Sequence, residues 1–314
     1  MISEALPASV RIREVGPREG FQILHRVFET EKKLSLIEAL VAAGIPEIEV
    51  TAFVRGDRVP NMADAEVLVA SLPRVSGVQY SALYLNLKGF QRAEATGKLD
   101  NLGWLYTSPS ETFLRSNSNT SIESSLAAVP EWSAEFRKVG KAVHGLMVST
   151  AFGCGFEGQI RPETVARLVE RYLSVLQGTG ESLSEICLAD TVGLGHPNSV
   201  RACIQLLKPL GIPVSLHLHN TWGLGLANIY AGLCEGVRVF ETSVGGLGGC
   251  PFTPGVAGNV ATEDVVYLCQ AMGIATSIDL DKLCFAAELA ESIIGTPLLS
   301  SVYRAWRSSG RCVK

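Results

Sequence analysis

Two short stretches of this sequence carry residue types that can bind a metal ion. The first, SLHLHN at 215–220, places His217 and His219 two positions apart. Residues i and i+2 of a β-strand face the same way, so both imidazoles would point into one site. The second, GGLGGCPFTPGVAGN at 245–259, adds Cys250 on a glycine-rich loop and Asn259 nine residues later. Together the two stretches predict a metalloenzyme.

The identity of the ion does not follow from this spacing. Two imidazoles with oxygen ligands make a mixed site that suits a divalent ion such as Mg²⁺, Mn²⁺ or Zn²⁺. An HxH motif at a strand end can also be a pair of hydrogen-bonded structural histidines, and an isolated motif would leave the two interpretations even. A position at the mouth of an active site favours the metal.

Eight short apolar segments, each followed by a turn and a longer helix-like segment, would position these residues. The predicted strands are 10–15, 45–52, 77–84, 101–106, 142–149, 184–189, 213–219 and 237–243. The predicted helices are 31–43, 62–70, 90–96, 122–139, 162–176, 198–207, 222–235, 262–272 and 279–293. Alternating strands and helices are typical of a parallel sheet, and eight units predict a (β/α)₈ TIM barrel with additional C-terminal helices. We expect one domain over residues 1–314.

In such a barrel the active site lies at the C-terminal ends of the strands. Arg18 and Glu19 follow the first predicted strand, Glu49 lies within the second, and Asp190 follows the sixth. A carboxylate in a barrel wall is costly unless it is paired, which makes Glu49 a candidate for function. Asp190 could instead cap the turn that follows it.

The glycine-rich stretch after the eighth strand predicts a mobile lid. A cation near Cys250 would lower the pKa of its thiol and suit it to proton transfer. We interpret the other seven cysteines as inert reduced thiols, and we expect no disulfide framework.

The bulk composition excludes several classes of protein. Net charge is −4 and no block of basic residues could follow a phosphate backbone, so we expect no nucleic-acid partner. The strongest apolar run, 34–45, is interrupted by Glu38, so we expect no membrane span. The first sixteen residues lack a signal-peptide pattern, which predicts a cytoplasmic protein. GPREG lacks the GxGxxG spacing of a dinucleotide site.

Nine segments covering nearly the whole chain resemble the 3-hydroxy-3-methylglutaryl-CoA lyases, within the metal-dependent lyase and Claisen-synthase barrel superfamily. They are EVGPREGFQ from 14, IEVTAFV from 48, VPNMAD from 59, NLKGF from 86, SNSNTSIE from 116, GCGFEG from 153, LADTVGLG from 188, HLHNTWGLGLAN from 217 and SVGGLGGCPFTPGVAGNVATED from 243. The last is the most specific, because it separates these lyases from the related synthases.

The resemblance implies a retro-aldol cleavage of a 3-hydroxyacyl-CoA into an acyl-CoA and a keto acid. It implies a divalent ion, Mg²⁺ or Mn²⁺, with an acyl-CoA substrate and a homodimeric assembly. The implied metal ligands are Glu19, His217, His219 and Asn259. The implied catalytic residues are Arg18 at the developing oxyanion, His217 and Cys250 in proton transfer, and Glu49 and Asp190 as orienting groups. Gln22 and Thr191 are the implied substrate-binding residues.

Four departures from the family pattern point to a changed substrate. Glu19 replaces an aspartate, and its added methylene moves the carboxylate outward. Asn220 replaces another aspartate, which removes a negative charge from the mouth. The segments 23–26 (ILHR) and 145–147 (GLM) replace more polar patterns. We therefore expect a substrate that is bulkier or less charged than hydroxymethylglutaryl-CoA.

Two alternatives remain at this stage. The first is an aldol or Claisen condensing enzyme on the same barrel, which the glycine-rich stretch disfavours. The second is a metal-binding but catalytically silent paralogue, suggested by Glu19 and Asn220.

Overall fold

A computed structural model describes residues 6–100, 102–249 and 258–310, and within these ranges strands and helices alternate along the chain. The strands are β1 Arg11–Glu14, β2 Glu47–Ala52, β3 Gln79–Leu83, β4 Trp104–Thr107, β5 Gly145–Val148, β6 Gly153–Cys154, β7 Gly158–Gln159, β8 Glu185–Ala189, β9 Val214–His217 and β10 Val239–Thr242. The helices are α1 Gly16–Gln22, α2 Thr30–Ala42, α3 Ala65–Ser71, α4 Leu87–Ala95, α5 Glu111–Ser118, α6 Ile122–Ala127, α7 Val129–Lys138, α8 Pro162–Thr179, α9 Pro197–Leu207, α10 Gly225–Cys234, α11 Thr262–Ala271, α12 Leu280–Ile294 and α13 Ser301–Ser308.

The chain divides into two compact units. The terminal unit comprises residues 7–100 and 239–314, and the central unit comprises residues 101–238 with the first six residues. In the terminal unit the strand order is β3-β2-β1-β10, and in the central unit it is β4-β5-β8-β9. Strand pairing is parallel within each of these two sets. The strands β6 and β7 form a separate antiparallel pair.

Each of the eight predicted strands overlaps one of the observed parallel strands, and seven contain it fully, since β4 extends one residue beyond the predicted 101–106. Each parallel strand is followed by at least one helix. This order of elements confirms the predicted (β/α)₈ class. The prediction of one domain over 1–314 stays a prediction. No helix of the described ranges is long and apolar enough to cross a bilayer.

Because side chains alternate along each strand, the register shows which residues of the central unit share the face of the sheet that carries His217. We call this the site face. Val148, Leu188 and Leu216 share one row of the register and are fully buried. His217 follows Leu216 and pairs with Ala189, so it faces the opposite side of the sheet. Met147 and Ser215 flank Cys187 in the adjacent row and share the face of His217.

Several predicted boundaries were wrong. The predicted helix 122–139 is two helices, because the first turn of α7 contains Pro130, which cannot donate the backbone hydrogen bond that a continuous helix needs. The predicted strand 213–219 ends at His217, and His219 lies beyond it. The helices α1, α5 and α13 were missed. The first contains Gly16, Pro17 and Gly20, which are poor helix formers.

Asn61 fixes the segment that leaves α1, and its side chain makes three hydrogen bonds there. Its amide nitrogen donates to the carbonyl oxygens of Leu24 and Arg26 at 2.8 and 2.9 Å, and its amide oxygen accepts from the backbone nitrogen of Phe28 at 3.0 Å. The fully buried Lys33 donates to the carbonyl oxygen of Asn61 and to Asp64. The segment from Leu24 to Phe28, which follows α1, is therefore fixed by its hydrogen bonds to Asn61.

We expect Asn61→Ala to lower the free energy of unfolding by about 1–3 kcal/mol, because it leaves the buried backbone nitrogen of Phe28 without its acceptor. Urea unfolding followed by circular dichroism measures the change. Asn198→Ala, at an exposed position, is the matched control and should change stability by less than about 0.5 kcal/mol. Equal stability of Asn61→Ala and wild type would contradict this role.

Candidate active site

Arg18 lies at the centre of a cluster of charged residues in the terminal unit. It sits in the first turn of α1 and is 9 % exposed. Its Nε donates to Glu49 Oε2 at 2.5 Å and its Nη2 lies 2.9 Å from Glu19 Oε1. Burial alone would lower the pKa of Arg18, but Glu49 and Glu19 raise it, so the guanidinium stays charged. Arg18 can therefore present fixed donors to an anionic oxygen.

Glu49 reaches Arg18 from an irregular position in the sheet. The register between β2 and β3 shifts between Glu49 and Thr51, and such irregularities re-aim a side chain. Burial raises the pKa of Glu49 to about 7, while the charge of Arg18 opposes the rise and Glu241 adds to it. The cost of this buried carboxyl is thus offset by pairing, as the sequence predicts.

Asn259 and Glu19 are joined by a hydrogen bond. Asn259 Nδ2 donates to Glu19 Oε2 at 2.5 Å and to the carbonyl oxygen of Leu247 at 3.0 Å. Both partners are acceptors, so the amide nitrogen must face them and the amide oxygen must face away. That oxygen, Oδ1, is buried and has no hydrogen-bond partner among the residues that the structure describes. A buried amide oxygen of this kind suits a cation as its ligand.

Two buried carboxylates hold the start of the glycine-rich segment. Glu14 Oε1 accepts from the backbone nitrogens of Val244 and Gly16 at 2.8 Å, and its Oε2 accepts from the Thr262 hydroxyl at 2.6 Å. Both Glu263 oxygens accept from the backbone nitrogen of Gly245, at 2.9 and 3.0 Å. Neither residue was predicted from the sequence, because each has a charged neighbour, Arg13 or Asp264, and does not stand out as an isolated acid.

The glycine-rich segment comes back on itself, so that Gly258 lies against Gly248. A Cβ placed on Gly258 would lie 1.8 Å from the carbonyl oxygen of Gly248, so the two backbones are in contact. Gly248, at φ +97°, also leaves no room for a Cβ beside Glu19 and Asn259. We call Gly248, Gly249 and Gly258 the loop stem. Cys250 and residues 251–257 lie outside the described residues, so the lid and the role of Cys250 stay predictions.

His217 and His219 converge in the central unit. Their Nε2 atoms lie 3.1 Å apart and both side chains are buried, at 5 % and 3 % exposed. The sequence prediction that the two imidazoles face one point is confirmed, although His219 lies beyond the end of β9. Two ring nitrogens at this distance can share a proton or approach one cation.

Asp190 lies close enough to His217 for the imidazole to influence its titration. Burial raises the pKa of Asp190 to about 6, and the backbone hydrogen bond from Gly195 and the proximity of His217 oppose the rise. The backbone nitrogen of Gly195 donates to Oδ1 at 3.0 Å. The predicted turn cap is therefore present, and it leaves Oδ2 buried with no hydrogen-bond partner within the described ranges.

Thr150 has a strained backbone conformation and is hydrogen-bonded to Thr191. Its φ is +53°, a conformation that β-branched residues avoid, with a strain of order 1–3 kcal/mol. Its hydroxyl is hydrogen-bonded to Ser108 at 2.6 Å, and its backbone nitrogen donates to the Thr191 hydroxyl at 2.8 Å. Gln22, the other predicted substrate-binding residue, ends α1 with its Oε1 buried and no hydrogen-bond partner in the described part of the chain.

The cysteines that the structure describes are free thiols. Burial raises the pKa of Cys203 to about 12 and that of Cys269 to about 11, and it raises the pKa of Cys284 as well. Such thiols are almost entirely protonated at neutral pH, which agrees with the prediction that they are inert. Cys312, like Cys250, lies outside the described residues.

We expect Glu263 to make stability depend on pH. Burial raises its pKa from 4.5 to about 8, against opposing backbone hydrogen bonds, so the folded state binds this proton more tightly than the unfolded chain. The resulting stabilisation is complete below pH 4.5 and is lost as pH rises towards 8, by at most about 1.4 kcal/mol per pH unit.

Glu263→Gln tests this dependence, because the amide does not titrate. Urea unfolding at intervals from pH 5 to 8 should show the stability of wild type falling relative to the variant. Glu288→Gln is the control for a glutamate on a neighbouring helix. Parallel curves for wild type and Glu263→Gln would disprove the assignment.

Comparison with known proteins gives one consistent family. The family model described as HMGL-like matches residues 9–290. The chain is 38 % identical over 303 residues to the cytoplasmic 3-hydroxy-3-methylglutaryl-CoA lyase of Mus musculus, covering 96 % of this chain and 85 % of the relative. It is 37 % identical over 299 residues to the mitochondrial hydroxymethylglutaryl-CoA lyase of Arabidopsis thaliana, covering 94 % of this chain and 62 % of that longer relative.

A solved structure extends the similarity to the fold. An HMG-CoA lyase of Acinetobacter baumannii, in complex with coenzyme A and 3-methylmalate, superposes with a TM-score of 0.86 at 35 % identity, covering 99 % of this chain and 98 % of the other. The fold is thus that of the lyase barrels, as the sequence predicts. The chain belongs to the HMGL-like family, the family of the hydroxymethylglutaryl-CoA lyases.

Proposed function

We propose that this protein is a divalent-metal-dependent carbon–carbon lyase that cleaves a 3-hydroxyacyl-CoA by a retro-aldol reaction. The observation that carries the proposal is the convergence of His217 Nε2 and His219 Nε2 at 3.1 Å on the site face of the central unit. Family membership supplies the reaction class, and the relative that holds coenzyme A supports an acyl-CoA substrate.

We infer that Glu19, His217, His219 and Asn259 together bind the metal. The buried amide oxygen of Asn259, which faces away from Glu19, and the paired imidazoles make a mixed nitrogen and oxygen ligand set, which fits Mg²⁺ or Mn²⁺ and also permits Zn²⁺. A divalent ion bound there would supply Lewis-acid polarisation of the substrate's hydroxyl and carbonyl oxygens.

The protein's own groups divide the proton transfers between them. The C3 hydroxyl of the substrate gives its proton to His217 as the bond between C2 and C3 breaks, and that electron pair moves into the thioester as an enolate. Arg18, held by Glu49, donates hydrogen bonds to the enolate oxygen. Cys250 returns a proton to C2, which releases an acyl-CoA and a keto acid. Asp190 orients His217.

The substrate is hydroxymethylglutaryl-CoA or a more apolar analogue. Met147, one of the departures from the family pattern, lies on the same face of the sheet as His217. In this proposal Gln22 and Thr191 contact the substrate. Gln22 ends α1, the helix of Arg18 and Glu19, and Thr191 follows Asp190 in the chain. We further propose a homodimer.

The proposed location is the cytoplasm. The Mus musculus relative is named as cytoplasmic, whereas the Arabidopsis thaliana relative is named as mitochondrial. Fractionation of the source cells decides between these compartments.

We expect EDTA to abolish release of acyl-CoA from hydroxymethylglutaryl-CoA or its analogues, and Mn²⁺ to restore it. Calorimetric titration of the EDTA-treated protein should show one Mn²⁺ site, which His219→Ala weakens by at least tenfold because a ligand is lost. His25→Ala is the control histidine, at an exposed position. Metal binding without turnover on any 3-hydroxyacyl-CoA would favour a silent paralogue instead.

We expect Cys250→Ala to lose turnover by 10²-fold or more while it keeps its affinity for Mn²⁺, because the thiol transfers a proton and does not bind the metal. Steady-state assays and calorimetry on the same preparation measure both. Cys234→Ala is the control thiol, at a partly exposed position. Full activity in Cys250→Ala would remove the thiol from the mechanism.

A further inference from the structure

We propose that Ile23 is a specificity-determining residue, whose exposed side chain forms an apolar contact for the alkyl substituent on C3 of the substrate. This inference rests on the proposed function and names the class of substrate that the site prefers. That class is a 3-hydroxyacyl-CoA with a C3 substituent larger than methyl.

The position of Ile23 follows from the helix that carries the catalytic motif. Ile23 caps the C-terminus of α1 with helical dihedrals, φ −88° and ψ −9°. Residues four apart on a helix have Cβ atoms roughly 5–6 Å from each other, so Ile23 lies one turn from Glu19 on the same face. Its side chain is nevertheless 40 % exposed, whereas Phe21 beside it is fully buried. Ile23 thus presents an apolar surface next to a proposed metal ligand.

The same side chain touches the loop stem. A Cβ placed on Gly249 would lie 3.7 Å from Ile23 Cδ1. One turn earlier, a Cβ on Gly20 would lie 2.9 Å from Leu247 Cβ, and one on Gly248 would lie 2.9 Å from Glu19 Cβ. The C-terminal half of α1 therefore packs along Leu247–Gly249, with Ile23 at the outer end of this contact. A substrate held at Glu19 has Ile23 and Gly249 as its apolar neighbours on that side.

The basic residue nearest to Ile23 on this segment, Arg26, is directed towards an aromatic ring. The guanidinium of Arg26 lies over the ring of Phe28, 4.9 Å from its centroid. Its backbone oxygen is held by Asn61 at 2.9 Å, which fixes the turn in this orientation. A carboxylate packed against Ile23 would lose water to an apolar side chain, while an alkyl group would bury both apolar surfaces. The contact therefore selects for an apolar group.

The test compares two substrates in wild type and in Ile23→Asn. The substrates are hydroxymethylglutaryl-CoA and its analogue with n-butyl in place of the C3 methyl. Their kcat/KM ratio, butyl over methyl, should fall by about tenfold or more in the variant, because a pocket's discrimination between alkyl groups depends on its apolar contacts. Ile23→Leu should keep the wild-type ratio. Val27→Asn, at a position 59 % exposed on the same segment, is the matched control and should also keep it.

Failure of the inference and failure of the proposed function give different results. An unchanged ratio in Ile23→Asn, with both substrates cleaved, would overturn the role of Ile23 and leave the lyase function standing. Absence of cleavage of either substrate by wild type would overturn both. Ile23→Thr, which keeps the branch at Cβ and replaces part of the alkyl chain with a hydroxyl, gives the same comparison if Ile23→Asn does not fold, and the same outcomes apply.

Discussion

Arg18 is a guanidinium that has been almost completely removed from water, and this constraint organises the terminal unit around it. A buried cation must be paired on each side where water has been excluded. Glu49 provides one partner from an irregularity in the sheet, and Glu19 provides the other from the next residue of the same helix. Because both carboxylates are held by Arg18, the residue proposed to stabilise the enolate also fixes the direction of a proposed metal ligand.

The glutamate at position 19 gains a partner by its length. One carboxylate oxygen faces Arg18 and the other accepts from Asn259, which lies 240 residues later in the chain. The added methylene that distinguishes this chain from the family pattern thus spans the gap between a guanidinium and an amide. Asn259 in turn binds the carbonyl oxygen of Leu247, so the proposed ligands and the glycine-rich segment form one hydrogen-bonded unit.

Much of the fold follows from local pattern, because short apolar strands separated by amphipathic helices have distinct periodicities. His217, His219, Arg18 and Glu19 were identifiable for a related reason, since their residue types and spacing are unusual. The helix α1 was not identifiable, because tertiary packing overrides the poor helix propensity of its glycines and proline. Glu14 and Glu263 were missed because most of their hydrogen-bond donors are backbone nitrogens, which every residue carries, and the one side-chain donor, Thr262, lies 248 residues from Glu14.

The distant partners of Glu14 also determine when the first strand can fold while the chain is being synthesised. Its carboxylate accepts from Val244 and Thr262, which are 230 and 248 residues away. Until those residues leave the ribosome, β1 lacks its neighbour β10 and Glu14 has no hydrogen-bond donors from that side. Contacts this distant form late and slowly. The strand β1 therefore cannot pair with β10 until nearly the whole chain has been made. Through most of translation the nascent chain exposes an unpaired strand edge. A chaperone that covers this edge would act at that stage.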